Sequence, residues 1–206
     1  MISSDEAAAA QVAAGKVERI LKVACVTFWE AIDIRSCVEG LEASNRSDIL
    51  QSLENANADR AAGLIQKALF GRLLMGVMTA FDPVRSGDFH LRVGMDLIAE
   101  QVPRMVVLQR GGNLAEIEAA ELGWAECLKF EPIDRLRTYR NKSVAHLSDP
   151  PKGMQDPIIT ELFTLAKMTA DVAEHLAHGT GVAAVSLQSQ VTPYRDSFGA
   201  FWEQWR

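Results

Sequence analysis

Residues 59–81 read DRAAGLIQKALFGRLLMGVMTAF and form the most apolar stretch of the chain. Apolar residues recur here at spacings of three and four, which is typical of a buried helix face. The set comprises Leu64, Ile65, Ala68, Leu69, Leu73, Val77 and Met78. Other apolar residues lie off this stripe, so we predict a central helix with Leu69, Leu73 and Val77 buried. Asp82 and Pro83 end it, because the residue before a proline avoids the α conformation.

Helical spacing continues on both sides of this stretch. Apolar residues from Val17 to Ile32 repeat at three and four residues, and a start signal at Ser4 predicts one helix running to about Leu41. Further helices are predicted over residues 49–53, 90–102, 114–129, 132–148 and 156–176, with a boundary or kink at Pro103. Strand-like alternation never extends beyond four residues. We therefore predict an all-α, single-domain bundle of five or six main helices.

The C-terminal end has a different composition. Residues 180–190 are small and polar and are predicted to be a linker, whereas residues 194–205 are predicted to form a short amphipathic tail helix. One aromatic stripe of this helix comprises Tyr194, Phe198, Phe201, Trp202 and Trp205. We interpret the stripe as a docking element for the chain's own core or for a second copy; the alternative is a base-stacking platform. The expected division is a helical domain over 1–178 and a linker with tail over 179–206.

The overall composition is that of a globular protein. Hydrophobic residues are 48% and charged residues 23% of the 206 residues, which excludes global disorder. The formal net charge of −6 excludes a general attraction to nucleic acid, so any such contact must come from a local basic patch. The N-terminus lacks the basic region of a signal peptide, and the apolar run 73–81 is far shorter than the ~20 residues of a spanning helix. We therefore expect a cytoplasmic protein with no membrane partner.

Three cysteines give little functional information. Cys25, Cys37 and Cys127 are odd in number, so at least one has no disulfide partner within the chain. Their spacings fit neither a zinc site nor a redox Cys-x-x-Cys motif. We interpret them as buried, reduced thiols of a cytosolic protein.

One segment is strongly basic within this acidic chain. Residues 135–146 read RLRTYRNKSVAH and contain four cationic side chains and a histidine. One interpretation is a solvated helix face with His146 near the C-terminal end, where the helix dipole favours a cation. On a regular α-helix, Arg140 and His146 would lie about 120° apart around the axis and about 9 Å apart along it. They would not share a face, whereas Lys142 and His146 would.

The segment RNKSVAH, residues 140–146, resembles the signature of the HEPN superfamily. That signature is an arginine with a polar neighbour, followed by a histidine after a short gap. The Arg-Asn-Lys-x-x-Ala-His form, followed by Leu147-Ser148-Asp149, is similar to the abortive-infection, AbiU-like branch. Residues 73–82 also resemble the long second helix of that branch, which ends in an aspartate. The resemblance covers about residues 17–176.

The resemblance implies both a fold and an activity. HEPN domains are all-α bundles that commonly form homodimers, and many are metal-independent ribonucleases of toxin, antiphage or RNA-processing systems. Some are paired with a nucleotidyltransferase-type antitoxin, and others have lost catalysis and act as binding modules. On this chain it implies Arg140 and His146 as catalytic residues. It implies Arg137, Asn141 and Lys142 as substrate-binding residues, with no cofactor and no metal.

The residue types suit this chemistry on independent grounds. Cleavage of RNA without a metal requires proton transfer at the 2′-hydroxyl and the leaving oxygen, and histidine titrates near neutral pH. Arginine stays charged and presents a planar fork to phosphate oxygens. Each chain offers one motif histidine, so a two-fold dimer would bring two histidines to one cleft. The intact Arg140 and His146 favour a ribonuclease, whereas the net acidity favours a non-catalytic module that binds RNA, nucleotides or another protein.

Two other groups of residues are weaker candidates. His175 and His178 lie three residues apart, with Asp171 four residues before His175, so a surface metal site is conceivable. Histidines near a helix C-terminus are more often compatible with its dipole alone, and we favour that interpretation. Asp82 is expected to cap or bond locally at its helix end; the alternative is a carboxylate that orients the arginine cluster.

Overall fold

The chain is built almost entirely from helices. In this computed structural model the backbone is described for residues 4–145 and 158–205, and the side chains for residues 11–142 and 158–205. The elements are α1 (Ser4–Ser44), α2 (Ser47–Asn55), α3 (Asp59–Thr79), α4 (Leu91–Ile98), α5 (Gln101–Gln109), α6 (Leu114–Lys129), α7 (Ile133–Tyr139), a π-helix (Arg140–Ala145), α8 (Ile159–Gly179) and α9 (Leu187–Glu203). No strand occurs in these ranges. The all-α prediction is confirmed, with more helices than the five or six expected.

The structure has more helices than predicted partly because the chain breaks between α4 and α5, just before Pro103. The predicted helix over 90–102 is two helices, because Glu100 takes an extended conformation between α4 and α5. Pro103 then lies in the first turn of α5, where its missing N–H costs no helical hydrogen bond. The proline therefore opens a helix instead of ending one.

The described residues divide into two compact units. Unit 1 comprises residues 1–31, 79–129 and 168–184, and therefore contains α4, α5 and α6 with parts of α1 and α8. Its helices pack at very short range around Gly94. A Cβ added there would lie 2.8 Å from Cγ1 of Val23 and 2.9 Å from Cδ2 of Leu176. Only glycine lets α4 approach these two side chains so closely.

The start of α6 and the end of α8 are joined within unit 1 by polar contacts. Asn113 caps α6, since its Oδ1 accepts a 3.0 Å hydrogen bond from the N–H of Ala115. The N–H of Asn113 donates to the carbonyl of Gly179 over 2.8 Å. Glu116 Oε2 lies 2.7 Å from Nδ1 of His175. The two contacts of Asn113 satisfy backbone groups at helix ends that would otherwise lack partners.

Unit 2 comprises residues 32–78, 130–167 and 185–206, and its core includes the C-terminal helix. Trp202 is 1% exposed and packs with Ile49, Leu53 and Ala62. Polar contacts hold α9 as well: Arg195 makes two bonds to Glu39, of 2.9 and 3.1 Å, and Arg46 lies 3.2 Å from Glu203. The docking interpretation of the tail is confirmed for its own core.

Two details of the tail prediction were wrong. The helix begins at Leu187 and not at residue 194, so the linker is shorter than expected. The aromatic stripe is also divided, because Tyr194 and Phe201 stay exposed while Phe198 and Trp205 pack partly against the core. The expected division of the chain at residue 178 stays a prediction.

The central helix is buried over only part of its length. Leu73 and Val77 are fully buried, as predicted, but Leu69 is half-buried and Leu64 is 70% exposed. The predicted stripe combined two faces, since Leu64 and Leu73 are nine residues, or roughly 180°, apart around the helix. By length and composition, α3 alone among the described helices could cross a membrane, and a third of its apolar window is buried. A core helix of a soluble protein passes the same test, so this is only a weak indication of a span.

Candidate functional site

The basic segment forms α7 and continues without a break into a π-helix. Pro132 precedes α7 with helical dihedral angles, and the fully buried Leu136 anchors the helix in unit 2. Arg140 begins the π-helix, whose hydrogen bonds join residues five apart. Short π-helical turns are rare and occur frequently at functional sites. The segment is thus locally distorted where the sequence places its candidate residues.

This geometry corrects the spacing argument made from a regular α-helix. In a π-helix the next-turn neighbours of Arg140 become residues 144 and 145, in place of 143 and 144. Because of the wider turn, the residues on the same face as Arg140 extend to position 145, one residue before His146. His146 itself lies outside the described residues, together with Leu147, Ser148 and Asp149.

Arg140 is buried, although arginine is normally a surface residue. Only 9% of its surface is exposed. The preceding residue, Tyr139, meets the ring of Phe70 edge-on at 6.3 Å between centroids, which joins α7 to α3. A buried guanidinium stays charged, and its field is screened less than it would be in water. The fold therefore places a fixed positive charge at the start of the π-helix.

The basic patch is smaller than the sequence suggests. Arg137 forms an ion pair with Asp134 over 2.6 Å, and Arg135 forms one with Glu161 of α8. Asn141 is half-buried and Lys142 is exposed. The structure places the four candidate residues Arg137, Arg140, Asn141 and Lys142 on one continuous helical segment. Two cations of the basic segment, Arg135 and Arg137, already face carboxylates.

Sequence reasoning missed both carboxylates of the site. Asp134 could have been found, because it precedes Arg137 by three residues on a predicted helix. Glu161 lies 26 residues from Arg135, and no local pattern identifies such a pair. Arg135 is therefore assigned to the structure of unit 2, where it holds α7 against the start of α8.

The Arg135–Glu161 pair predicts how stability depends on pH. The hydrogen bond from Arg135 holds the pKa of Glu161 below its ordinary value of 4.5. A carboxyl group with a lowered pKa stabilises the fold above its unfolded pKa, and this contribution is lost as pH falls through the folded pKa. Glu161→Gln should lower the unfolding free energy by about 1 kcal/mol at neutral pH. Urea denaturation should show the difference shrinking towards zero at acid pH.

A matched control uses an exposed ion pair on α6. Glu126 lies 2.8 Å from Lys129 with both side chains more than half exposed, so Glu126→Gln should change stability by only a few tenths of a kcal/mol. Equal effects of the two substitutions at neutral pH would contradict the structural role given to Glu161.

The histidines of α8 do not form a metal site with their neighbours. His175 directs Nδ1 towards Glu116, as described above, and His178 lies 6.5 Å from the ring of Phe28. Among the residues that the structure describes, no group of three or more histidine, cysteine or acidic side chains could hold a metal ion. Asp82 lies in unit 1 and the arginine cluster in unit 2. The expected local role of Asp82 at its helix end and the alternative of orienting that cluster therefore both stay predictions.

The cysteines are thiols, but they are not all buried. Cys25 is exposed, which corrects the sequence-based expectation, whereas Cys37 and Cys127 are buried. Burial raises the pKa of the Cys127 thiol to about 12. The thiolate is the reactive form, so this thiol is inert at neutral pH.

Thiol labelling should separate the exposed Cys25 from the buried Cys127. In the native protein at neutral pH, a small aromatic disulfide reagent should modify Cys25 within minutes and leave Cys127 at least about a hundredfold slower. All three should react in denaturant. Mass spectrometry of the labelled peptides gives the order directly, and rapid native modification of Cys127 would contradict its burial.

The all-helical fold and the arginine-led basic segment are the two features expected of a HEPN-like helical protein. A family model supports this assignment over nearly the whole chain: HEPN_AbiU2, described as AbiU2, matches residues 16–201. The chain belongs to this family. The match extends beyond the 17–176 region of the sequence resemblance and includes most of α9. No curated protein and no solved structure matches the chain.

Proposed function

We propose that the chain is a metal-independent endoribonuclease of HEPN type, acting in abortive infection or in a toxin–antitoxin pair. One observation carries the proposal: the arginine of the family's motif, Arg140, is buried at the start of a π-helix, in a chain that the AbiU2 family model covers. Burying a cation costs desolvation energy, so a charged side chain kept inside the fold is a candidate functional residue.

In the proposed reaction the RNA supplies its own nucleophile. His146, as general base, removes the proton of a 2′-hydroxyl, and the 2′-oxygen attacks the adjacent phosphorus. The bond from phosphorus to the 5′-oxygen breaks, and a second proton donor, the His146 of another copy, protonates that oxygen. Arg140 stabilises the negative charge of the phosphorane, because a preformed cation in a partly dry site is worth more than one in water.

Substrate binding is assigned to the cations around this centre. Lys142 is exposed and suited to contact a flanking phosphate, and Asn141 can donate from its amide. Arg137 would share its charge between Asp134 and the RNA, which reduces its contribution. Binding should therefore weaken with salt through the release of only one or two counterions.

The assembly follows from the count of titrating groups. One histidine per motif calls for a homodimer that brings two motif segments to one cleft. A nucleotidyltransferase-type antitoxin is the proposed protein partner, and the cytoplasm is the proposed location. No membrane partner and no cofactor are part of this proposal.

A specific observation favours the second candidate, a non-catalytic HEPN-like module that binds RNA, a nucleotide or another protein. Arg135 and Arg137 face internal carboxylates, and the chain carries a net charge of −6. An enzyme acting on a polyanion commonly presents a broader basic surface.

The test is cleavage of RNA in the presence of a chelator. We expect the full chain to cut single-stranded RNA without a divalent metal and to leave a 2′,3′-cyclic phosphate, because the nucleophile is internal. Mass spectrometry of the products identifies this end group. RNA binding without cleavage would favour the non-catalytic module, and cleavage that stops in chelator would reject the proposed mechanism.

A further inference from the structure

One face of α3 is apolar, exposed and bordered by cations. Leu64 is 70% and Ile65 38% exposed, and the small residues Ala61 and Ala68 on the same face are exposed too. Arg60 and Lys67 are exposed and lie along one edge of this stripe, one position away on the helical surface. We call this surface the α3 face.

A second exposed face, on α6, has the opposite charge. Leu114, Glu118, Leu122 and Glu126 follow one another at intervals of four residues, so they lie in one row along the helix. Leu122 is 68% and Leu114 45% exposed. Glu118 and Glu126 are exposed, although Glu126 is shared with Lys129 at 2.8 Å. We call this surface the α6 face.

The two faces match in length as well as in charge. Arg60 and Lys67 are seven residues, or about 10 Å, apart along α3. Glu118 and Glu126 are eight residues, or about 12 Å, apart along α6. Laid side by side and antiparallel, α3 can set Lys67 near Glu118 at one end of the contact and Arg60 near Glu126 at the other. Leu64 and Leu122 then lie at its centre. Rows of side chains at four-residue spacing are the surfaces by which helices most often pack.

We propose that the α3 face of one copy binds the α6 face of a second copy. The inference goes beyond the proposed ribonuclease function and does not depend on it. The two faces are different surfaces of the same chain, so the contact is heterologous: each copy can offer a free α3 face and a free α6 face to further copies. The product is a ring or an open chain of subunits, unlike the closed dimer proposed at the motif segment.

A lipid surface fits these observations less well. The α3 face alone suits an anionic membrane, where basic residues flank apolar ones. An anionic membrane cannot itself bind the α6 face, because glutamates repel it, so the exposed leucines of that face would stay unexplained. A second copy satisfies both faces at once.

Charge-reversed variants test the contact directly. Sedimentation velocity across micromolar concentrations should show the wild type forming species larger than a dimer, with the association weakening as salt rises. Lys67→Glu alone and Glu118→Lys alone should each weaken this association at least tenfold, because like charges then face each other. An equimolar mixture of the two variants should restore it, since alternating copies then join through two kinds of contact, Lys67 with Glu118 and the reversed pair of the two substituted side chains, both of opposite charge.

The mixture separates a specific contact from general damage. Arg85→Glu, on an exposed loop residue of unit 1, is the matched control and should leave the association unchanged. A wild type that stays a dimer or a monomer at every concentration overturns the proposal. Failure of the mixture to assemble overturns it as well. Vesicles containing anionic lipid that bind the wild type, with no association in solution, would assign the α3 face to a membrane instead.

Discussion

His146→Ala is expected to abolish RNA cleavage while leaving RNA affinity within a few-fold of the wild type. A positioned acid or base contributes ~10²–10⁴-fold to the rate, and this histidine is the proposed group for the proton transfers. Binding energy comes mainly from phosphate contacts, which the substitution does not remove. Single-turnover cleavage in chelator measures the rate, and fluorescence anisotropy of a labelled RNA measures the affinity.

Lys142→Ala is the matched variant, since Lys142 is an exposed neighbour in the same segment. It should weaken binding and reduce the salt dependence by about one counterion, with a smaller effect on the rate at saturating RNA. The catalytic assignment is wrong if His146→Ala cuts RNA at the wild-type rate. It is also wrong if Lys142→Ala lowers the cleavage rate at saturating RNA more than His146→Ala does.

The largest effect on stability is expected from Trp202→Ala. The indole is almost fully buried against α2 and α3, and truncation would open a cavity that the helices can close only in part. Truncation of a buried aromatic residue to alanine costs about 3–5 kcal/mol, a large share of the stability of an ordinary domain. Urea denaturation followed by circular dichroism should show a markedly lower midpoint.

Trp202→Phe tests how much of this stability comes from the volume of the side chain. The indole Nε1 is buried without a hydrogen-bond partner among the described residues. Its loss should therefore cost little, and phenylalanine should keep most of the packing, at about 1–2 kcal/mol below the wild type. A Trp202→Ala protein as stable as the wild type would show that α9 is an appendage, in agreement with the predicted division at residue 178.

Local sequence patterns predicted where the helices lie, but not which of their faces pack against other helices. The spacing in α1 and α6 was sufficient because each helix carries its own periodic signal. Leu64 and Leu73 were assigned to one buried stripe, since apolar spacing alone cannot tell which face meets another helix and which meets solvent. Pro103 was ambiguous for a similar reason: a proline ends one helix or opens the next, depending on the conformation of Glu100.

The candidate site was predictable in its residue types and not in its environment. The resemblance of residues 140–146 identified Arg140, and no sequence rule indicated that its side chain would be buried or that the helix would widen there. The pairing of Arg135 with Glu161 depends on tertiary contact across many residues. The number of cations counted in a sequence is therefore an upper limit on the number that can contact a ligand.

The Arg135–Glu161 ion pair also links two distant points of the chain. Arg135 precedes the segment that carries His146, and Glu161 follows it, so the ion pair closes a loop of 26 residues. The entropy of closing a loop rises only slowly with length, by about 0.6 kcal/mol for each doubling. A change in the number of residues between Arg135 and Glu161 should therefore cost little closure entropy as long as the ion pair holds. In the proposed ribonuclease, the sequence around His146 could therefore change between relatives while Arg135 and Glu161 keep α7 and α8 joined.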